Sequence, residues 1–121
     1  MKCILLVDDD SVGRQVLRAI LEKEGYLCHE AENGAVALEI LEIIQFDLII
    51  TDHTMPVMDG LQLLQRLHNE FLPRETPVIL VTGNLSEQLY QAAMAAGACA
   101  VFAKPYSRQT LLSGISRILA P

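Results

Sequence analysis

Four short apolar runs in this sequence are each followed at once by a polar residue that could do chemistry. Asp8 and Asp9 follow the first of these runs, Asp52 the second, Thr82 the third and Lys104 the fourth. If the runs are parallel strands of one sheet, these side chains gather at the edge where such sheets bind ligands. The sequence therefore predicts one site built from acids, a hydroxyl and an ammonium.

This combination of groups suits phosphoryl transfer to a carboxylate. Crowded carboxylates repel one another and need a cation, and ligands that are all oxygen favour Mg²⁺. An aspartate can itself be the nucleophile toward phosphorus. The transferred group then needs positive charge on its oxygens, which Mg²⁺, the Lys104 ammonium and the Thr82 hydroxyl or a backbone N–H could share.

The elements that must position these residues alternate along the chain. Apolar runs predict strands at residues 3–7, 27–31, 47–51, 78–81 and 100–103. Amphipathic spacing predicts helices at residues 11–24, 35–44 and 61–71, one capped by Asn84 that runs to residue 96, and a last one capped by Ser107. Alternating strands and helices favour a doubly wound α/β domain with a parallel sheet covered on both faces.

Length, charge and cysteine content narrow the class of protein. The 121 residues fit one domain, 1–121, and no apolar run approaches the roughly 18 residues of a membrane span. A net charge of −6, with only nine Lys and Arg, argues against direct binding of nucleic acid. The three cysteines have no metal-like spacing, and we expect buried, reduced thiols in a cytoplasmic protein.

The chain resembles the receiver domains of two-component response regulators in four stretches that occur in the family's order and spacing. They are Asp8-Asp9, Asp52-His53-Thr54-Met55-Pro56-Val57-Met58-Asp59-Gly60, Thr82-Gly83 and Lys104-Pro105. The resemblance implies a flavodoxin-like fold, in which a five-stranded parallel sheet of order 2-1-3-4-5 is flanked by five helices. It also implies that the Lys104–Pro105 peptide is cis.

The resemblance assigns a role to each residue of the site. Asp52 is the expected phosphoacceptor and a Mg²⁺ ligand. Asp9 is expected to bind Mg²⁺ directly, Asp8 to help through water, and the backbone carbonyl of Thr54 to complete the protein ligands. Lys104 is expected to contact a phosphoryl oxygen. Thr82 should move toward the phosphoryl group and report its arrival.

The family also implies partners. A sensor histidine kinase or a histidine phosphotransfer protein would supply the phosphoryl group, and an output domain or a partner protein would read it. The face formed by the fourth helix, fifth strand and fifth helix is expected to dock partners or form a homodimer. Such a domain catalyses only its own phosphorylation and dephosphorylation, so it is not an enzyme in the usual sense. The receiver could be a stand-alone protein or one part of a longer regulator or hybrid kinase.

Two other functions are compatible with some of the motifs. Val7-Asp8-Asp9-Asp10-Ser11-Val12 fits the D-x-D-x-V pattern of haloacid-dehalogenase phosphatases. The chain is short for that family, and Asp52 precedes the Thr and the Lys instead of following them. The second alternative is a receiver-like binding module that is never phosphorylated.

A few positions carry separate predictions. Asp10 is expected to cap the first helix, and His53 to be an exposed loop residue. Most receivers have Tyr or Phe three residues before the Lys, where this chain has Val101, with Phe102 one step later. Because one step along a strand reverses the side chain, Phe102 should not replace the usual aromatic. We hypothesise that Thr82 moves without a large rotamer change on the last strand.

Overall fold

A computed structural model describes residues 1–71 and 76–120, and its centre is a five-stranded parallel sheet. The strands lie in the order β2-β1-β3-β4-β5, and every neighbouring pair is parallel. Their bounds are β1 Cys3–Val7, β2 Leu27–Ala31, β3 Leu48–Asp52, β4 Val78–Thr82 and β5 Ala100–Ala103. The expected flavodoxin-like strand order is confirmed.

The described residues contain five α-helices, of which four connect successive strands and the fifth follows β5, and a polar side chain caps the start of each. The helices are α1 Ser11–Lys23, α2 Gly34–Leu41, α3 Gly60–Arg66, α4 Glu87–Ala95 and α5 Arg108–Leu119, and wider π-helical turns continue α3 over Leu67–Phe71. The capping residues are Asp10, Asn33, Asp59, Ser86 and Ser107. The predicted caps at Asp10 and Ser107 are thereby confirmed.

The predicted cap at Asn84 is wrong. The Asn84 amide donates to the Thr82 hydroxyl at 3.1 Å, so this residue belongs to the turn that leaves β4. Ser86 caps α4 instead, because its hydroxyl accepts the Leu89 amide at 3.0 Å. The second helix is shorter than predicted: it ends at Leu41, after which the chain continues in a turn.

Side chains alternate between the two faces of the sheet and make two separate cores. One core joins the sheet to α2, α3 and α4, and its strand residues include Leu5, Val7, Ile49, Val78 and Leu80. The other joins the sheet to α1 and α5, and its strand residues include Ile4, Leu6, Ile50, Ile79 and Val81. Because both faces of the sheet are covered, the inner strands β1 and β4 are almost continuously apolar, whereas the edge strand β2 has exposed positions.

The cysteines differ from one another in burial. Cys28 is buried and its burial raises the pKa of the thiol to about 11, whereas Cys3 is half-buried. Cys99 is exposed, so the prediction that all three thiols are buried is wrong for this residue. Cys99 lies outside the sheet, one residue before β5 begins, and so it escapes the packing that covers the strands.

Among the residues that the structure describes, every helix is too short or too polar to span a membrane.

Candidate functional site

Three carboxylates meet at the carboxyl ends of β1 and β3. These strands are neighbours with Val7 opposite Thr51, so the residues that follow, Asp8 and Asp52, lie side by side. Asp9 joins them, and one oxygen from each of the three carboxylates lies within 4.8 Å of the others. A cluster of oxygen donors at this spacing fits a hard divalent cation such as Mg²⁺.

Lys104 contacts this cluster from the end of β5. Its Nζ lies 2.7 Å from Asp52 Oδ1 and 3.8 Å from Asp8 Oδ2. Burial acts to lower the pKa of Lys104, but the hydrogen bond and negative charge of Asp52 outweigh it, and the net pKa is raised. The side chain is therefore a stable ammonium. The peptide bond between Lys104 and Pro105 is cis, as the resemblance implied.

Asp8 is the carboxylate that burial affects most clearly. Burial is the largest cause of its raised pKa, and the charges of Asp52 and Asp9 act in the same direction. The hydrogen bond from the Asp10 amide to Asp8 Oδ1, at 3.0 Å, and the charge of Lys104 oppose that shift. On balance the ionised form of Asp8 is therefore disfavoured in this cluster. A bound cation would stabilise that ionised form.

Thr82 and Thr54 are placed differently from the charged residues. Thr82 is fully buried at the end of β4, and its hydroxyl accepts the Asn84 amide. Its carbonyl accepts the Lys104 amide at 2.7 Å, so the backbone links it to the site. Thr54 is exposed in the loop that follows Asp52. The structure thus joins the three acids and Lys104 directly, and places both threonines on segments adjoining them.

The loop from β3 to α3 folds closely over the back of Asp52. A Cβ added to Gly60 would lie 2.5 Å from the Asp52 carbonyl oxygen and 2.8 Å from His53 Cα. Only glycine permits this approach, which the 2.8 Å hydrogen bond from the Gly60 amide to the His53 carbonyl maintains. Val57 in the same loop has a φ of +71° and is 98% exposed, an unusual conformation for a β-branched residue.

His53 is not the exposed loop residue that was predicted. It is half-buried, and within the described residues its Nδ1 is buried without a hydrogen-bond partner. It follows Asp52 directly, and successive side chains at the end of a strand point to opposite faces of the sheet. Asp52 faces the α1 side with the rest of the site, so we place His53 on the other side.

Val101 and Phe102 also lie on opposite faces, as predicted. Val101 packs against the core that contains α4, and Phe102 against the core that contains α5. The Phe102 ring fills the space over Gly114 of α5, where an added Cβ would lie 2.8 Å from its Cζ. Phe102 therefore packs against the α5 core, on the face opposite the one that Val101 occupies.

Two side chains that the sequence did not single out lie beside the site. Arg14 of α1 donates to the backbone carbonyl of Asp8. Tyr106 follows the cis proline, and burial raises its pKa. Both line a cavity of about 510 Å³ between α1 and the loop after β5, and the cavity opens beside Asp8 and Asp52. Because helical arginines usually lie in solvent, only the fold could show this position of Arg14.

The sheet order defines a flavodoxin-like α/β domain, and its acidic cluster lies at the switch point where such sheets bind ligands. Comparison with known families makes the assignment specific. The family model for the response regulator receiver domain matches residues 4–116. The chain therefore belongs to the receiver domains of two-component response regulators, and the alternative of a haloacid-dehalogenase phosphatase is set aside.

Similar proteins come from both archaea and bacteria. The chemotaxis protein CheY of Halobacterium salinarum is 35% identical over 118 residues, covering 98% of this chain and 97% of that protein. The phosphate regulon transcriptional regulatory protein PhoB of Pseudomonas aeruginosa is 32% identical over 98% of this chain, but the match spans only 52% of PhoB. A crystal structure of a CheY-like receiver domain protein from Methanospirillum hungatei superposes with a TM-score of 0.92 at 34% identity, covering 98% of this chain and 94% of that one.

Proposed function

We propose that this receiver domain accepts a phosphoryl group on Asp52 and binds Mg²⁺ beside it. The observation that carries the proposal is the contact of Lys104 Nζ with Asp52 Oδ1, at 2.7 Å, within a cluster of three carboxylates. This arrangement places an ammonium beside the proposed phosphoacceptor and brings three carboxylates together where a cation can bind. Asp8, Asp9, Asp52 and the Thr54 carbonyl are the proposed protein ligands.

In the proposed reaction, an Asp52 carboxylate oxygen attacks the phosphorus of a phosphohistidine donor. The new O–P bond forms as the P–N bond breaks, and the electron pair stays with the histidine nitrogen, which takes up a proton. Lys104 moves from the carboxylate to a phosphoryl oxygen and neutralises its charge. The Thr82 hydroxyl gives up the Asn84 amide and turns toward another phosphoryl oxygen. Bound Mg²⁺ supplies further positive charge to the transferred group.

The proposed partners follow from this chemistry and from the family. A sensor histidine kinase or histidine phosphotransfer protein supplies the phosphoryl group, and an output domain or partner protein reads the changed shape. The face made by α4, β5 and α5 is the proposed docking or homodimer surface. Leu85, Tyr90 and Met94, in or near α4, are large apolar side chains exposed by 39 to 41% and support this choice.

The proposed setting is cytoplasmic, and the net charge of −6 argues against direct contact with nucleic acid or an anionic membrane surface. The domain catalyses only its own phosphorylation and dephosphorylation. A change at Asp52 reaches the partner surface through Thr82 and Lys104, which stand at the ends of β4 and β5.

Intact-mass spectrometry after incubation with acetyl phosphate tests the proposal. The wild type should gain one phosphoryl group when Mg²⁺ is present and none when EDTA replaces it. Asp52→Asn should gain none. Asp59→Asn is the matched control, because it neutralises an acid of the same loop while Asn can still cap α3. An adduct that persists in Asp52→Asn would contradict the proposal. If the wild type gains no adduct and does not bind beryllofluoride, the domain is an unphosphorylated binding module.

A further inference from the structure

Arg14 connects the acidic end of β1 to β2. Its guanidinium Nη1 donates to the Asp8 carbonyl, and its Nε lies 2.7 Å from Glu30 Oε1. The Arg14 side chain is only 14% exposed and that of Glu30 22%. Both ends of the contact are therefore largely shielded from water. In such a shielded place, a hydrogen bond to a charged group is stronger than at the surface.

The carbonyl that Arg14 holds belongs to the peptide bond between Asp8 and Asp9. Fixing this peptide plane fixes the direction in which the chain leaves Asp8, and so the position of Asp9. Two other contacts hold neighbouring groups: the Asp8 amide donates to the Ala31 carbonyl at 3.1 Å, and the Asp10 amide, on the far side of Asp9, donates to Asp8 Oδ1 at 3.0 Å. Arg14 adds a contact to the carbonyl of the peptide between them, which orients the step from the first acid to the second.

Glu30 keeps Arg14 in place. It accepts from Arg14 on one oxygen and from Arg18 Nη1, at 2.8 Å, on the other. These hydrogen bonds, with that from Arg18 the largest cause, lower the pKa of Glu30, so the carboxylate stays ionised at neutral pH. The negative charge of Glu30 also offsets the guanidinium, which would otherwise repel a cation at the adjacent acids.

We propose that Arg14 is a positioning residue for the Mg²⁺ site: its hydrogen bond to the Asp8 carbonyl orients the Asp8–Asp9 peptide so that both carboxylates point at the cation. The inference rests on the proposed function, because it assumes Mg²⁺ at this cluster. Groups that orient metal ligands commonly change metal affinity by about 10- to 100-fold when they are removed. Arg14 touches neither the cation nor the phosphoryl group.

Calorimetric titration of Mg²⁺ into the unphosphorylated protein tests this inference, since the chain has no tryptophan to report binding by fluorescence. Arg14→Ala should weaken Mg²⁺ binding by about tenfold. Arg14→Lys keeps the charge and is the variant expected to fold most securely, but one ammonium cannot match the fork that spans the carbonyl and Glu30. It should therefore also bind Mg²⁺ more weakly than the wild type.

Arg18→Ala is the matched control. It removes the other partner of Glu30 and leaves the contact between Arg14 and Asp8, so its Mg²⁺ affinity should equal that of the wild type. Amide NMR spectra without metal give a second readout, in which the Asp9 resonance should shift in the Arg14 variants and not in Arg18→Ala.

Three results would overturn the inference, and they are distinguishable. Wild-type affinity in both Arg14 variants would show that the peptide needs no such support. Equal losses in Arg14→Ala and Arg18→Ala would assign the effect to the ion-pair network in general. No binding of Mg²⁺ by the wild type would refute the proposed metal site itself, and the inference with it.

Discussion

Replacing Asp8 by Asn should stabilise the metal-free protein. The Asp8 carboxylate lies within 4.8 Å of those of Asp9 and Asp52, and each such pair repels by about 3.5 kcal/mol at an effective dielectric constant near 20. Lys104, at 3.8 Å, returns about 4 kcal/mol of attraction. Because Asp9 is exposed and the Lys104 side chain is 39% exposed, screening reduces the remaining repulsion to about 1 kcal/mol.

The pH dependence of this effect has a definite sign. The pKa of Asp8 is raised above its ordinary value of 3.8, chiefly by burial. The folded protein therefore holds the Asp8 proton more tightly than the unfolded chain, and ionised Asp8 costs stability above its raised pKa. The advantage of Asp8→Asn should be full at pH 7 and vanish as the pH falls through that raised pKa to 3.8.

Thermal unfolding followed by circular dichroism measures the effect. In EDTA at pH 7, Asp8→Asn should melt about 4 °C above the wild type, the shift expected for about 1 kcal/mol in a domain of this size. In millimolar Mg²⁺ the wild type should gain stability, because the cation binds only the folded form. The variant should gain less, because it lacks the Asp8 carboxylate. Asp10→Asn serves as the control, because Asn still caps α1 and the cluster keeps its three charges.

Two results would refute the reasoning. If Asp8→Asn melts below the wild type in EDTA, the contact with Lys104 outweighs the repulsion within the cluster. If Mg²⁺ raises the melting temperatures of wild type and variant equally, Asp8 takes no part in binding the cation.

Three further predictions concern packing and charge. Gly60→Ala should cost about 3 kcal/mol in urea unfolding, because its Cβ would meet the backbone of Asp52, and a loss under 1 kcal/mol would show that the loop can shift. Gly114→Ala should cost about 1 kcal/mol, since crowding of the Phe102 ring outweighs the gain in helix propensity, and a net gain would contradict the packing of that ring. Glu30→Gln should cost about 1 kcal/mol at pH 7. Because folding lowers the pKa of Glu30, the stability difference between wild type and variant should persist from pH 7 down to pH 4.5, the ordinary pKa of a glutamate. It should be lost as the pH falls further, through the lower pKa of the folded protein. A stability difference independent of pH would refute the ion pair.

The sequence predicted the strands well because short apolar runs mark them. The limits of Cys3–Val7 and Ala100–Ala103 were placed correctly from the pattern alone. The strand order came from the family resemblance, since apolar runs do not state which strands are neighbours. The convergence of the acids and Lys104 followed from this strand order. Asp52 is the last residue of β3, the acid pair comes directly after β1, and Lys104 comes directly after β5.

What the sequence did not predict depends on contacts that form only in the folded chain, some within a turn and some between distant segments. Asn84 and Ser86 are both good caps, and the choice was decided by the Thr82 hydroxyl, which accepts the Asn84 amide. His53 resembles a loop residue until the Gly60 turn folds back beside it. Arg14 resembles a solvent-exposed arginine in α1, and only the pairing of β1 with β2 brings Glu30 to it.

The central claim is that Asp52 itself carries the phosphoryl group. Borohydride reduces an aspartyl phosphate to homoserine, and peptide mapping by tandem mass spectrometry then locates the converted residue. After treatment with acetyl phosphate and Mg²⁺, homoserine should appear at position 52 and at no other aspartate, and it should be absent when Mg²⁺ is omitted. Conversion at Asp8 or Asp9 with Asp52 intact would contradict the account.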